Sequence, residues 1–323
     1  MKKILLLPLV LFAFGANAQY NKNAGSNAPQ TETRAVTVLD AETGEERVEY
    51  KEFERRAVKK VDDATGEEYL EYEEVEMSRD NYGNAAGNEY DLAVDGAFEG
   101  QTIVVLHFYT GENFDFSLPK AALAEKGFSV YRFMNAAPEP KELKEALDKA
   151  CQLWIISDQS SKLNSDHLGI IKNFFDSGKG VYIWGDNQPY YADANKVAQE
   201  LIGVTMNGNV MGDQTVNISR DSAQAGIRPD HLLSTGIEYI YEGITIATLE
   251  ANDVLEPLIY GSAGNLVAGV YEQDGKRLIL DGGFTRLYVK WDTAGTGRYV
   301  KNAAAWLVNY ERFGDEVLGD NVE

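Results

Sequence analysis

Five carboxylates fall where strands are expected to end: Glu112, Asp115, Asp158, Asp186 and Asp281. In sheets built from parallel strands, ligands gather at the carboxyl ends of the strands. Carboxylates placed there can hold a divalent cation or divide into a general acid and a general base. They can equally cap helices or accept hydrogen bonds from loop amides. Asp186 and Asp281 are the candidates for a catalytic role. The candidate ligand-binding set is wider: Asp158, Ser160, Asp186, Asn187, Tyr190, Tyr191, Asp281, Thr285 and Arg286. Tyr109, Phe114, Phe116, Tyr288 and Trp291 are expected on the same rim. Aromatic rings beside carboxylates and amides suit a sugar or a peptide.

Other chemistry finds less support. The imidazoles are His107, His167 and His231, and none has the close spacing of a zinc pair. His107 falls in a strand and reads as core. His167 falls on a helix and reads as exposed. Asp158 and Ser160 begin a D-x-S-x-S metal motif, but Lys162 breaks it. Gly178-Lys179-Gly180 follows a helix rather than opening one, so it faces the wrong dipole pole for a phosphate. No cofactor is implied, and a divalent cation such as calcium is the one ion the carboxylates leave open. The single cysteine, Cys151, has no partner for an intrachain disulfide and reads as a small buried residue.

The elements that must position these groups centre on residues 151–187. Leu153 to Ile156 is a short apolar run ending at Asp158. Apolar residues then recur at Leu168, Ile170, Ile171, Phe174 and Phe175, which is helical spacing. Gly178 and Gly180 stop that helix, and Val181 to Trp184 is a second strand. Two buried strands joined by a helix make a right-handed βαβ unit. Upstream, strands are expected over 103–109 and 128–134, with helices over 117–127, capped by Ser117, and 139–150. Downstream come a helix to Leu201 and a hairpin over 204–219. Short strands follow over 244–249, 255–260, 266–271 and 277–280, then a helix over 297–312. The order predicts an α/β fold with a flavodoxin-like, mainly parallel sheet and helices on both faces.

The ends of the chain differ in character. Lys2 and Lys3, an apolar run from Ile4 to Phe14 and Gly15-Ala16-Asn17-Ala18 make a secretory signal peptide over 1–18. The chain is therefore expected to be exported, to the periplasm or beyond a bacterial cell, with no integral membrane segment after cleavage. Residues 19–34 read as a disordered leader. Residues 35–78 hold an internal repeat in which Gly44 corresponds to Gly66. Each copy reads as a β-hairpin with a Thr-Gly turn. Val48, Tyr50, Leu70 and Tyr72 alternate with Glu, predicting one half-buried face and one acidic face. The turns lack the ligand spacing of a calcium loop. Two hairpins alone are marginal in water, so this segment is expected to pack on a protein partner or on another copy. Residues 79–98 read as a polar linker, 99–312 as the α/β domain and 313–323 as an acidic tail. A formal charge of −21 excludes nucleic acid as a partner.

Over residues 100–312 the order of elements resembles the class I glutamine amidotransferase-like superfamily. The resemblance rests on Leu168 to Ile183, and on Asp281-Gly282-Gly283-Phe284-Thr285 followed by Asn302 to Leu307. The last pairing is similar to non-catalytic members, the gliding and transport auxiliaries and the intraflagellar-transport type. A trehalose-utilisation-like branch is a weaker match. Glutamine-hydrolysing members carry G-x-C-x-G at the nucleophile elbow. Here the elbow would be Trp184-Gly185-Asp186-Asn187-Gln188, with Gly185 in place of the thiol, so acyl transfer by this route is not expected. The resemblance implies a non-catalytic binding or assembly module. The alternatives are a carboxylate- or metal-dependent hydrolase acting on a small carbohydrate-like ligand, and a subunit of a surface filament.

Overall fold

The computed structural model describes residues 31–39, 46–221, 223–250, 252–291 and 294–309. The signal segment, the first Thr-Gly turn and the acidic tail lie outside these residues. No helix among the described residues is long and apolar enough to cross a membrane.

The chain opens with an antiparallel sheet of β1 (Thr31–Leu39), β2 (Glu46–Val61) and β3 (Glu68–Glu76). The two expected hairpins share β2 as one continuous strand. β1 pairs with residues 46–54 of β2, and β3 pairs with residues 53–61. The first strand begins at Thr31, inside the expected leader. Each half keeps a half-buried face, through Val36 and Val38 in one and Val58 and Val75 in the other, but the two lie on opposite sides of the sheet. Register puts Val48 on one face with Val58 and Val75, and puts Leu70 and Tyr72 on the other with Lys59. Val48, Leu70 and Tyr72 stay 61%, 58% and 58% exposed. Paired strands keep their alternation, but the shared strand turns the second copy's apolar positions to the opposite side.

The main domain continues through β4 (Thr102–His107), α1 (Ser117–Glu125), β5 (Ser129–Met134), α2 (Pro140–Leu147), β6 (Gln152–Ile156), α3 (Ser165–Asp176), β7 (Gly180–Trp184) and α4 (Ala192–Ile202). Then come β8 (Met206–Met211), β9 (Thr215–Asn217), β10 (Gly226–Ile227), β11 (Tyr239–Tyr241), β12 (Thr245–Leu249), β13 (Glu256–Tyr260), β14 (Leu266–Gln273), β15 (Lys276–Asp281) and α5 (Ala294–Leu307). Eight strands form one sheet in the order β10-β13-β14-β15-β7-β6-β4-β5. The fold class is thus α/β with a mixed sheet. β5, β4, β6, β7 and β15 run parallel, while β14, β13 and β10 add antiparallel neighbours.

Alternate residues of the central strands feed two cores. Val105, Trp154, Tyr182 and Trp184 face the side covered by α1 and α5. Val104, Leu153, Ile155 and Ile183 face α2, α3 and α4. Strands buried on both faces read as continuous apolar runs, which is why this part of the sheet is plain in the sequence. Gly180 lets α5 approach β7, because a Cβ there would overlap the Leu307 carbonyl oxygen. The central helix α3 starts on a capping box. The Asn164 side chain accepts from the amides of Asp166 (3.0 Å) and His167 (3.1 Å), and His167 Nδ1 accepts from Asn164 N at 3.2 Å. His167 is therefore buried, not exposed, and its Nε2 reaches the Pro138 carbonyl at 2.7 Å. Helix α1 differs in a smaller way. Ser117 is its first residue rather than its cap, and its amide donates to Asp115 Oδ1 at 2.9 Å.

Two further expectations fail on non-local packing. Residues 204–219 form no hairpin, since β8 pairs with β12 and β9 with β11. The Asn195 side chain makes paired hydrogen bonds to Met206 and holds the start of β8 against α4. Residues 79–98, expected as a linker, are part of the core. Asp91, Leu92, Ala93 and Phe98 are buried. Asp91 meets three buried cations: Arg298 Nε at 2.9 Å, Lys126 Nζ at 2.9 Å and Lys301 Nζ at 2.8 Å. Asp95 and Glu125 supply further counter-charge, at 2.6 Å from Lys126 and 3.0 Å from Lys301. The network ties this segment to α1 and α5. Removing one member of a buried ion cluster leaves the others uncompensated. Asp91→Ala is expected to lower the unfolding free energy by about 3–5 kcal/mol, read from urea denaturation.

Candidate functional site

Gly185 is the residue expected at the elbow after the second strand of the central unit. Gly185 follows β7 and is held from both sides. Its amide donates to the Asp281 carbonyl at 2.8 Å, and its carbonyl accepts from Phe284 N at 3.0 Å. A Cβ there would overlap Met206 Sδ and press on Tyr191 Cβ at 3.1 Å. Nor does Gly185 adopt the left-handed backbone of a strained turn. A side chain there would displace the Met206 thioether.

Asp281 is also removed from solvent. One register row crosses four strands on a single face: His107 pairs with Ile156, Ile156 with Trp184, and Trp184 with Asp281. In that row the Asp281 carboxylate accepts from Arg286 Nη1 (3.1 Å), from the Tyr182 and Tyr299 hydroxyls (3.3 Å each) and from Gly283 N (2.9 Å). Asp281 and Arg286 are both fully buried. Burial pushes the Asp281 carboxyl up, and the guanidinium opposes the shift. Arg286 Nη2 also donates to the Glu242 carbonyl at 3.0 Å. Thr285 is buried, and its hydroxyl accepts from Ile244 N at 3.0 Å. These three residues brace the loop after β15 rather than face a ligand.

Asp186 is different. It is 3% exposed and its Oδ1 has no hydrogen-bond partner among the described residues. Burial holds its carboxyl well above the ordinary carboxylate range. The charges of Asp281 and Glu112 push the same way, while the Asn187 amide and Arg286 oppose them. An aromatic wall stands beside it. Tyr109 packs on Phe284 (4.8 Å between ring centres) and edge-on to Tyr190 (5.4 Å), and Tyr288 stacks on Phe114 (4.5 Å). Tyr288 is hydrogen-bonded to Tyr109.

The open cleft lies one step along the sheet, between the ends of β4 and β6. It has a volume of about 460 Å³, and its walls include Tyr109, Glu112, Asn135, Asp158, Lys162 and Tyr190. Lys162 Nζ bonds Asp158 Oδ2 at 2.7 Å and Ser160 Oγ at 3.4 Å. Asp193, on the first turn of α4, fixes this loop by accepting from Ser161 Oγ (2.8 Å), Lys162 N (2.8 Å) and Leu163 N (3.0 Å). Of the residues singled out from sequence, Tyr109, Glu112, Asp158 and Tyr190 meet here. Ser160 is exposed beside them. Asn187 turns away and accepts from Thr245 Oγ1 at 2.9 Å. Tyr190 packs toward one core and Tyr191 toward the other, so the pair does not act together. Asp158, Asp186 and Asp281 therefore do not converge on one open cleft. Lys162, Asn135 and Asp193 were not anticipated. Only the four-residue step from Asp158 to Lys162 hinted at the first.

The histidines take structural places. His107 is buried against Phe114 and Phe116 and lies 3.2 Å from Arg132 Nη1, and burial pushes its pKa down to about 4. His231 accepts from Leu233 N at 3.1 Å and packs on Trp306. Burial raises the Cys151 thiol to about 12, as for an inert core residue. Among the described residues, no three His, Cys, Asp or Glu side chains gather as a metal ion would need.

No family model and no curated protein matches the sequence. Solved structures do match. A ThuA-like protein from Parabacteroides merdae overlays with a TM-score of 0.43 at 10% identity, covering 65% of this chain and 90% of that one. The glutaminase domain of CTPS from Trypanosoma brucei, with bound acivicin, gives 0.34 at 8% identity, covering 64% and 93%. An exo-beta-1,4-mannosidase from an Opitutaceae bacterium gives 0.37 at 10% identity. That match covers 65% of this chain and only 36% of the mannosidase.

The raised Asp186 carboxyl has a consequence for stability. Above the unfolded value, the folded protein keeps a proton that the unfolded chain releases, so stability falls as pH rises toward the folded value. Asp186→Asn cannot ionise. It is expected to melt higher than the parent near about pH 8, with the gap closing near about pH 4, as read by thermal denaturation across pH.

Proposed function

We propose that this chain is an exported, non-catalytic binding and assembly module. The observation that carries this reading is Gly185 itself, which brings no side chain to the elbow and leaves its place to the Met206 thioether. Burial of Asp281 in a four-donor network supports it, because a general acid or base must reach the proton it moves.

In this reading the N-terminal sheet joins one copy to another. β2 is sixteen residues long, and each neighbour covers only about half of it. Among the described residues, 55–61 has no strand partner on the β1 side. That stretch carries Arg55, Arg56, Lys59 and Lys60. β3 carries five Glu and no cation, and among the described residues its outer edge is unpaired. The five Glu of β3 are ion-paired within the sheet, to Arg34, Lys51, Lys59 and Lys60, so what the chain offers is two strand edges open among the described residues rather than two opposite charges. Unpaired edges of this kind add strands from other chains.

Light scattering of the full chain is expected to give a mass above 35.8 kDa that falls to the monomer when residues 31–78 are removed. A monomeric parent would remove the basis for assembly. In a second test, Gly185→Cys is expected to release no ammonia from glutamine. It should also cost about 1–3 kcal/mol of stability through overpacking.

A further inference from the structure

We infer that the cleft between β4 and β6 is one end of a longer groove that binds a neutral, hydroxyl-rich chain of at least two sugar-like rings. This deepens the binding-module reading and rests on it. The first cavity adjoins a second of about 430 Å³, and the two share Asn135 and Lys162. The second is walled by Ala137, Pro138, Pro140 and His167. Together they run along the ends of β4, β5 and β6.

Three features converge here. The first is topology. From β4 the chain moves to β5 on one side through α1, then crosses back through α2 to β6 on the other. The direction of winding reverses between β4 and β6, and ligands of such sheets sit in the crevice this opens. The second is backbone conformation. Glu112 (φ 51°), Asn113 (φ 61°), Phe116 (φ 68°) and Asn135 (φ 65°) are left-handed residues in the two loops over the groove. Non-glycine residues held in this region cluster at ligand clamps. Third, the walls are held before any ligand arrives. Asp193 pins the Lys162 loop, Thr110 donates to Asn135 Oδ1, and Arg132 donates to the Asp115 carbonyl.

The chemistry of the walls selects the ligand. The one cation shared by both cavities, Lys162, is already paired with Asp158, and Glu112 adds negative charge, so an anion is disfavoured. Glu112 is exposed on this wall, while Asp158 Oδ2 already accepts from Lys162 and Asn135 Oδ1 from Thr110, which leaves Asp158 Oδ1 and Asn135 Nδ2 to meet hydroxyls. The Tyr109 and Tyr190 rings stand at 86° to one another, edge to face, and line the first cavity. The second cavity is lined by the 135–140 loop together with Lys162, Asn164 and His167.

The test is calorimetric titration of the full chain with neutral gluco- and manno-oligosaccharides of increasing length. Affinity is expected to rise about tenfold from monosaccharide to disaccharide, and to fall about tenfold in Asn135→Gly and in Tyr190→Ala. Asn135→Gly suits the left-handed backbone, so an unchanged melting temperature would show that the lost amide, not lost fold, weakens binding. Equal affinity for one and two units, binding unaltered in both variants, or no binding by any member of the series would overturn the groove. The recovered sugar is then examined by mass spectrometry. An intact sugar supports the non-catalytic reading, whereas a shortened one overturns that reading and leaves the groove standing.

Discussion

The ion pair of Asp281 and Arg286 decides what the strand ends of this protein can be used for. Both groups are out of contact with water, and a charge in that position is tolerable only when paired and hydrogen-bonded. Two tyrosine hydroxyls and a glycine amide complete the shell around the carboxylate. The pair lies at the end of β15, beside the end of β7, and it draws the 282–287 segment down over both strands. Gly185 is then hydrogen-bonded on one side to Asp281 and on the other to Phe284. The end of β7 becomes a packed junction.

That closure shifts recognition along the sheet. β4 and β6 end beside loops that are not drawn inward, and the reversal of winding leaves a crevice between them. Asp186 stands between the two regions. It is buried without a cation of its own, next to the aromatic wall shared with the cleft. Its environment favours the neutral acid, which removes a charge that this layer could not otherwise hold.

A second buried cluster performs a similar task from the same turn of α5 that supplies Tyr299. Asp91 gathers Arg298, Lys126 and Lys301, and so fastens the segment after β3 to two helices. The N-terminal sheet is joined to the domain near its middle, where Glu54 accepts from the Tyr90 hydroxyl at 2.7 Å and Arg79 pairs with Glu52. Beyond that junction Val48, Leu70 and Tyr72 remain exposed, on both faces. Among the described residues, the outer edge of β3 has no strand neighbour.

Sequence by itself determined the elements whose signals are local. The buried runs of β4, β6 and β7, the 3.6-residue spacing of α3 and the Thr-Gly turn of the second hairpin depend only on neighbours in the chain. Tertiary structure decided everything that depended on partners far away in the chain. The segment 79–98 is polar enough to read as a linker, yet Asp91 is buried because its cations come from α1 and α5, as many as 210 residues further on. Asp281 and Asp158 look alike in sequence. One ends a strand under Arg286 and two tyrosines, the other ends a strand at the winding reversal beside Lys162. A carboxylate's availability is set by what packs over it, and packing is the one property that residue type and spacing do not encode locally.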